Sequence, residues 1–295
     1  MMERDVVIIG AGIAGASAAM YLKRMGMDVI LVEKGPFGGV LNKITEIENY
    51  PGYRNVSGPE IAMNMYEQIN NLKINYLSAN VTKIDDMEDY KIIKTDNGDI
   101  KTKYVVVATG RKERKLGIKN EEELTGRGIS FCALCDGNFY KNKDVMVVGG
   151  GSSALEEAIY LARICSNVTL IHRKNCFSGE AKLIEEVKEN NKIKIIYEAE
   201  VKEINEEDGI LANVKLSNGE VHNISGLFIC IGYVPQNEFV DVAKENGYIV
   251  INDKYETNIK NIFAIGDAIK KPYYQLVSAT NDALVVSNVI VSRLK

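Results

Sequence analysis

One pattern occurs twice in this chain and restricts its fold more than any other feature. Asp5-Val6-Val7-Ile8-Ile9 is a continuous apolar run of strand length. Gly10-Ala11-Gly12-Ile13-Ala14-Gly15 follows, then helical spacing at Ala18, Leu22 and Met25. The next apolar run, Val29–Val32, ends at Glu33. The same order returns as a strand Asp144–Val148, the turn Gly149-Gly150-Gly151-Ser152-Ser153-Ala154, a helix to about Arg163, and a strand Val168–Ile171 ending at His172. A shift of 139 residues lays Gly10, Gly12, Gly15 and Glu33 on Gly149, Gly151, Ala154 and His172. In such a βαβ unit the first glycine permits the tight turn and the second leaves the backbone bare for a pyrophosphate. The third lets helix and strand touch, and the helix N-terminus faces the anion. Glu33, 23 residues after Gly10, stands where a carboxylate accepts from ribose hydroxyls.

A duplicated unit of this kind predicts an α/β chain with two Rossmann-like dinucleotide-binding domains (three-layer ββα), the second inserted into the first. At 295 residues the chain has room for two domains of common size. The expected partition is 1–111 with 239–295, and 112–238. Residues 34–60 read as a long loop, punctuated by Gly35-Pro36, Gly38-Gly39, Pro51-Gly52 and Gly58-Pro59, with a helix from about Pro59 to Leu72. Asn97-Gly98 joins Lys91–Thr95 to Ile100–Thr102 as a hairpin, and Tyr104–Gly110 reads as a separate buried strand. Arg111–Lys115 resembles a linker. Asn261–Asp267 is a strand ending in glycine and a carboxylate, followed by an apolar helix from about Gln275 to Arg293.

Net charge of −4 argues against nucleic acid as a partner. No run of eighteen apolar residues exists, and the N-terminus lacks a signal-peptide layout, so no membrane and a cytoplasmic location are expected. Five cysteines in so long a chain make no disulfide scaffold. Two of them lie between the glycine turns, in Ser130-Phe131-Cys132-Ala133-Leu134-Cys135-Asp136-Gly137. Such a pair beside βαβ units reads as a redox dithiol. A thiolate attacks a disulfide, its neighbour resolves the mixed disulfide, and a carboxylate close by provides the proton that a leaving thiolate needs. A zinc site would need four ligands, with His172 and Cys176 as the remaining two. That spacing is far longer than in compact zinc modules, so no metal is expected.

These motifs together resemble the low-molecular-weight thioredoxin reductases over essentially the whole chain. The specific pieces are Gly10–Gly15 with Glu33, Gly38-Gly39, Glu48-Asn49-Tyr50-Pro51-Gly52, Ala108-Thr109-Gly110, Cys132–Gly137, Gly149–Ala154, and Gly266-Asp267 with Gln275. The resemblance implies a homodimer, rotation between domains during turnover, and FAD in the discontinuous domain. FAD would be held by Gly10, Gly12, Ala14, Gly15, Glu33 and Lys34, then by Gly39, Val40, Leu41, Asn49, Val81, Ala108, Thr109 and Gly110. Gly266, Asp267, Tyr274, Gln275 and Leu276 would complete that site. Cys135 would meet the flavin, Cys132 would attack the disulfide of thioredoxin, and Asp136 would be the acid. Gly149, Gly151, Ser152, Ser153, Ala154, His172, Arg173 and Lys174 would form a pyridine-nucleotide site.

Three departures from the family pattern bear on the electron donor. The basic signature His-Arg-Arg, three residues, then Arg, which holds the 2′-phosphate of NADPH, is His172-Arg173-Lys174 followed by Ser178. Gly-Gly-Gln is Gly38-Gly39-Val40, and Arg-Gln before the last helix is Tyr274-Gln275. Lysine is a point charge where arginine grips phosphate bidentately, and serine is uncharged. The sequence therefore leans towards reduced ferredoxin as donor, a protein that needs no phosphate clamp, with NADPH and NADH as alternatives. A ferredoxin–NADP reductase of similar architecture would lack the dithiol. A non-catalytic nucleotide-binding redox sensor would lack turnover.

Overall fold

In the computed structural model, which describes residues 1–44 and 46–294, the first apolar run forms β1 (Met2–Ile9), an interior strand of a seven-stranded sheet. Val6–Ile9 are buried on both faces, which is why the run is unbroken by polar residues. Helix α1 (Ile13–Arg24) follows, and β2 (Val29–Glu33) pairs parallel with β1, Val6 opposite Val29. The next loop contains a 3₁₀ turn, Gly39–Lys43. Helix α2 (Gly58–Asn71) starts on Ser57, whose Oγ accepts from Glu60 N, with proline in the first turn. β3 (Asn75–Ser78) pairs parallel with β2.

β5 (Lys91–Thr95) and β6 (Ile100–Val107) form the expected hairpin, which β4 (Val81–Asp86), not foreseen in the sequence, extends to an antiparallel meander; β6 shows one further difference. Ile100–Thr102 and the run from Tyr104 are one strand. Its first half pairs with β5 and its whole length pairs parallel with β1. The change from alternating to continuous apolar residues marks a change in what covers the strand, not a break in it.

After β7 (Arg111–Glu113) the second copy begins with β8 (Ile129–Ser130) and the short helix α3 (Ala133–Asp136). β9 (Asp144–Gly149), α4 (Ser152–Ile164), β10 (Asn167–His172), α5 (Ala181–Glu189) and β11 (Ile193–Tyr197) repeat the βαβ arrangement. An antiparallel layer of β12 (Val201–Glu207), β13 (Ile210–Leu216) and β14 (Val221–Asn223) follows. β15 (Gly226–Cys230) then gives a parallel sheet in the order β11-β10-β9-β15-β8. β16 (Tyr233–Pro235) leads to the short pair β17 (Lys244–Glu245) and β18 (Tyr248–Ile249). β19 (Ile262–Ala264) joins the second half of β6, and α6 (Leu276–Ser292) closes the chain.

The chain packs as two units, Met1–Lys112 with Val234–Lys295, and Glu113–Tyr233. In the first, Val6 and Ile8 face the layer of α1, α2 and α6, while Val7 and Ile9 face the cluster with Ile84 and Ile93. In the second, α4 and α5 cover one face, and the antiparallel layer, through residues such as Val214 and Leu216, covers the other. Helix, parallel sheet and antiparallel sheet are the three layers in both. α1 comes so close to the first turn that a Cβ on Gly15 would lie 1.9 Å from Gly10 O. Gly15→Ala is therefore expected to destabilise the fold by about 3 kcal/mol in denaturant unfolding, since backbone rather than a side chain would have to move.

Candidate active site

The first glycine turn leaves β1 and enters α1 beside the end of β6. Gly10 takes a left-handed φ of 106°, and a Cβ there would meet Ala108 O at 2.4 Å. Gly10, like Gly15, is thus required by the polypeptide itself. Gly12 is different: its φ of −73° and ψ of −176° suit any residue, and a Cβ would find nothing within 4 Å. The N-terminus of α1 has no side-chain cap. Bare backbone facing open space before uncapped helix amides is what a pyrophosphate needs. Glu33 braces the rim, accepting from Ala11 N and Gly35 N at 2.8 Å each.

Other expected cofactor residues gather here. Gly38 N donates to Ala11 O, and Gly39 approaches Gly12. Leu41 is buried in the same cluster as Ala14 and Ala108, whereas Val40 is exposed. Asn49 Nδ2 donates to Gln275 Oε1 at 3.1 Å across 226 positions of sequence. Thr109 Oγ1 donates to Gln236 O, and Lys34 Nζ donates to Gln236 Oε1. Gly110 has a φ of 62°. Gly266 touches Ala14, and Asp267 accepts from Arg111 Nε at 3.0 Å and Nη2 at 2.8 Å. The Arg111 guanidinium lies over the Tyr274 ring, 4.0 Å from its centroid. Burial and then a hydrogen bond with Tyr248 push the Tyr274 phenol up to about 12. Leu276 opens α6 behind a capping box of Gln275 and Ser278. Val81 stands apart, in the core cluster on the other face of the sheet.

The two thiols sit at the start of α3, joined as a disulfide. Cys132 is the N-cap, and its Sγ accepts from Cys135 N at 3.1 Å, a bond that favours thiolate on Cys132 once the pair is reduced. Cys132 is buried and Cys135 exposed. Asp136 is fastened to this end of the pair by Ser130. The buried Ser130 Oγ donates to Asp136 Oδ2 at 2.6 Å and accepts from Cys132 N at 3.1 Å. Burial and then the Asp136 charge push the Tyr140 phenol up. Phe139, next in the chain, is three-quarters exposed. Ser130→Ala should free the carboxylate and slow disulfide exchange about tenfold, a loss the size of one charge-assisted hydrogen bond, with flavin content unchanged. Turnover equal to the parent would show that Ser130 does not position Asp136.

The second glycine turn has the same division. Gly149 and Gly150 are demanded by the fold: a Cβ would strike Cys230 O and the His172 ring at 2.3 Å in each case. Gly151, with φ of −93°, has nothing within 4 Å, and α4 has no side-chain cap. Ser152 Oγ accepts from Glu180 N, Ser153 is exposed, and Ala154 is buried against Gly149. His172 is 9% exposed, and burial followed by the charges of Lys174 and Arg173 pushes its imidazole down, holding it neutral. Arg173 and Lys174 are exposed at the end of β10. Ser178 is exposed, and its N and Oγ both donate to Gly150 O.

Residues 4–283 match the family model of pyridine nucleotide-disulphide oxidoreductases. The thioredoxin reductase of Bacillus subtilis is 38% identical over 96% of this chain and 92% of its own length. The crystal structure of Lactococcus lactis thioredoxin reductase is 39% identical, with a TM-score of 0.91 over 98% of this chain and 99% of that one. This chain belongs to the low-molecular-weight thioredoxin reductase family. A ferredoxin-flavin thioredoxin reductase of Clostridium acetobutylicum is also similar, 30% identical with a TM-score of 0.57, covering 100% of this chain and 99% of that one.

Three residues that bond or pack against the candidate site residues escape sequence reasoning. Arg111 reads as part of a charged linker. Ser130 carries no signal beyond standing two residues before Cys132. Asp282 is 4% exposed and holds Gly266 N at 2.9 Å and Lys271 at 2.6 Å. Its signal was available, as a carboxylate in register with the apolar stripe Ala279, Ala283, Val286 of α6. His222, which has no companion in sequence, bonds Glu220 at 3.0 Å. Of the free thiols, Cys165 is buried and pushed up to about 11 by that burial. Cys230 is raised by burial and by Glu157, to which it donates at 2.9 Å. Only on the order of a thousandth of Cys165 is thiolate at pH 8. Alkylation of the folded, oxidised chain at that pH should therefore mark the exposed Cys176 and spare the other two. Mass spectrometry of the labelled peptides checks this.

Proposed function

We propose that this chain is a thioredoxin reductase with FAD on the first glycine turn and the Cys132–Cys135 pair as its electron carrier. A pyridine dinucleotide on the second glycine turn supplies the electrons. The unit built from both ends of the chain holds FAD, through Gly12, Glu33 and the Asp267 region. Bound FAD supplies the two-electron relay between donor and dithiol. The reduced pair then acts on thioredoxin. Cys132 thiolate attacks one sulfur of the thioredoxin disulfide, and Asp136 protonates the sulfur that leaves. Cys135 attacks Cys132 in the mixed disulfide, giving thioredoxin dithiol and the Cys132–Cys135 disulfide. The burial of Cys132 means that it must be uncovered before it attacks. Exposed Phe139 beside the pair suits a protein substrate. A homodimer in the cytoplasm, where thiols are kept reduced, completes the reading.

The observation that carries the choice of donor is Gly151. The fold needs no glycine there, since a side chain would meet only open space. Absence of a side chain at that point is what close approach by a pyrophosphate requires. A second reading, reduced ferredoxin, draws support from Ser178, which spends its polar groups on Gly150 O, and from the likeness to the Clostridium protein. Losing arginine contacts at Lys174 and Ser178 costs about 2–4 kcal/mol of 2′-phosphate recognition, roughly 30- to 1000-fold in affinity. NADPH should therefore reduce the flavin with weak saturation and little advantage over NADH. Anaerobic flavin reduction by NADPH, NADH and reduced ferredoxin, side by side, is the test. Reduction by either nucleotide supports the dinucleotide reading. Reduction by ferredoxin alone overturns it.

A further inference from the structure

Glu33 and Asp267 are carboxylates, and FAD adds a dianionic pyrophosphate. Two cations of this unit have partners of their own. Lys271 is held 2.6 Å from the buried Asp282, and Lys34 bonds Gln236 at 2.9 Å. The family pattern has an arginine immediately before the glutamine that caps the last helix, and this chain has Tyr274 there. The place is not without a guanidinium, however. Arg111, arriving from the end of β6 rather than from the α6 loop, lies 4.0 Å over the Tyr274 ring and grips Asp267. Its side chain is 20% exposed. An aromatic face is a suitable platform for arginine, which it orients without neutralising.

We propose that Arg111 is this chain's cation for the phosphate charge of FAD, replacing from another strand the arginine absent at position 274. The inference rests on the reading that FAD occupies the first unit. Tyr274 is then the support and Arg111 the ligand, and the pair with Asp267 holds the guanidinium in position before the cofactor arrives.

The test is FAD affinity, measured by titrating FAD into the apoprotein at low and high salt. Arg111→Ala should bind FAD roughly 10- to 100-fold more weakly, the loss of one charge-assisted contact to phosphate. Its binding should also depend less on salt than the parent's. The double variant Arg111→Ala/Tyr274→Arg, which returns the cation to the family position, should recover most of the affinity. A merely structural Arg111 would lower the melting temperature of the apoprotein and leave FAD affinity in place. A change of less than about threefold in Arg111→Ala overturns the proposal. So does a loss that the double variant does not repair. A parent apoprotein that takes up no FAD overturns the reading of the site and this inference with it, and is told apart from the other failures by the parent titration.

Discussion

Cys135→Ser is expected to abolish thioredoxin reduction while leaving the chain folded and yellow, and to leave thioredoxin covalently attached through Cys132. The pair works as one group, so loss of either thiol should cost on the order of 10³-fold or more in turnover. The two variants nonetheless fail differently. Without Cys135 the first attack still occurs, because Cys132 Sγ retains its place at the N-cap of α3. What is lost is the resolving thiol, so the mixed disulfide accumulates. Cys132→Ser removes the attacking sulfur and should trap nothing. Non-reducing gels with oxidised thioredoxin read the difference directly. A mixed disulfide formed by Cys132→Ser and not by Cys135→Ser would reverse the two roles.

The second large effect separates the two glycine turns. Gly12 and Gly151 both have extended backbone, which valine accepts readily, and neither has a neighbour that a side chain would strike. Valine at either position should therefore leave unfolding free energy within about 1 kcal/mol of the parent. Ligand binding should collapse all the same. Gly12→Val should purify without flavin. Gly151→Val should purify yellow but bind NADPH and NADH roughly 100-fold more weakly, while flavin reduced by dithionite still passes electrons to thioredoxin. The contrast with Gly15→Ala, where a new Cβ would meet backbone at 1.9 Å, shows why motif glycines are not equivalent. Equal NADPH reduction in Gly151→Val and the parent would remove the nucleotide from the second turn.

Much of this was legible in the residues. Continuous apolar strands, helical spacing and glycines in fixed positions are local signals, so both turns and the dithiol could be placed from sequence. What was missed depends on partners distant in sequence. Arg111 looks like one more linker charge until β19 and the α6 loop bring Asp267 and Tyr274 to it. Lys91, which the sequence marks only as the start of a hairpin strand, is 1% exposed and closes on Asp86 at 2.6 Å. The strand β6 was divided in two because its pattern changes where the antiparallel layer ends. The donor is the hardest case. The altered phosphate clamp is visible in sequence and leans towards ferredoxin. Whether the fold needs glycine at position 151 appears only when the space around it is known, and that favours a nucleotide.

The central claim is that electrons leave the flavin for thioredoxin through Cys132 and Cys135, whatever their source. The most direct measurement bypasses the donor. The flavin is reduced photochemically under anaerobic conditions, excess reductant is excluded, and oxidised thioredoxin is mixed in while flavin absorbance and thioredoxin thiols are followed. The account predicts that the flavin reoxidises as thioredoxin gains about four thiols per flavin, two from the dithiol that is reduced with the flavin and two from the flavin itself; in Cys135→Ser the flavin stays reduced and thioredoxin gains no more than the one thiol released by the mixed disulfide. Flavin that stays reduced beside intact thioredoxin disulfide, or reoxidation that proceeds equally in Cys135→Ser, would contradict it.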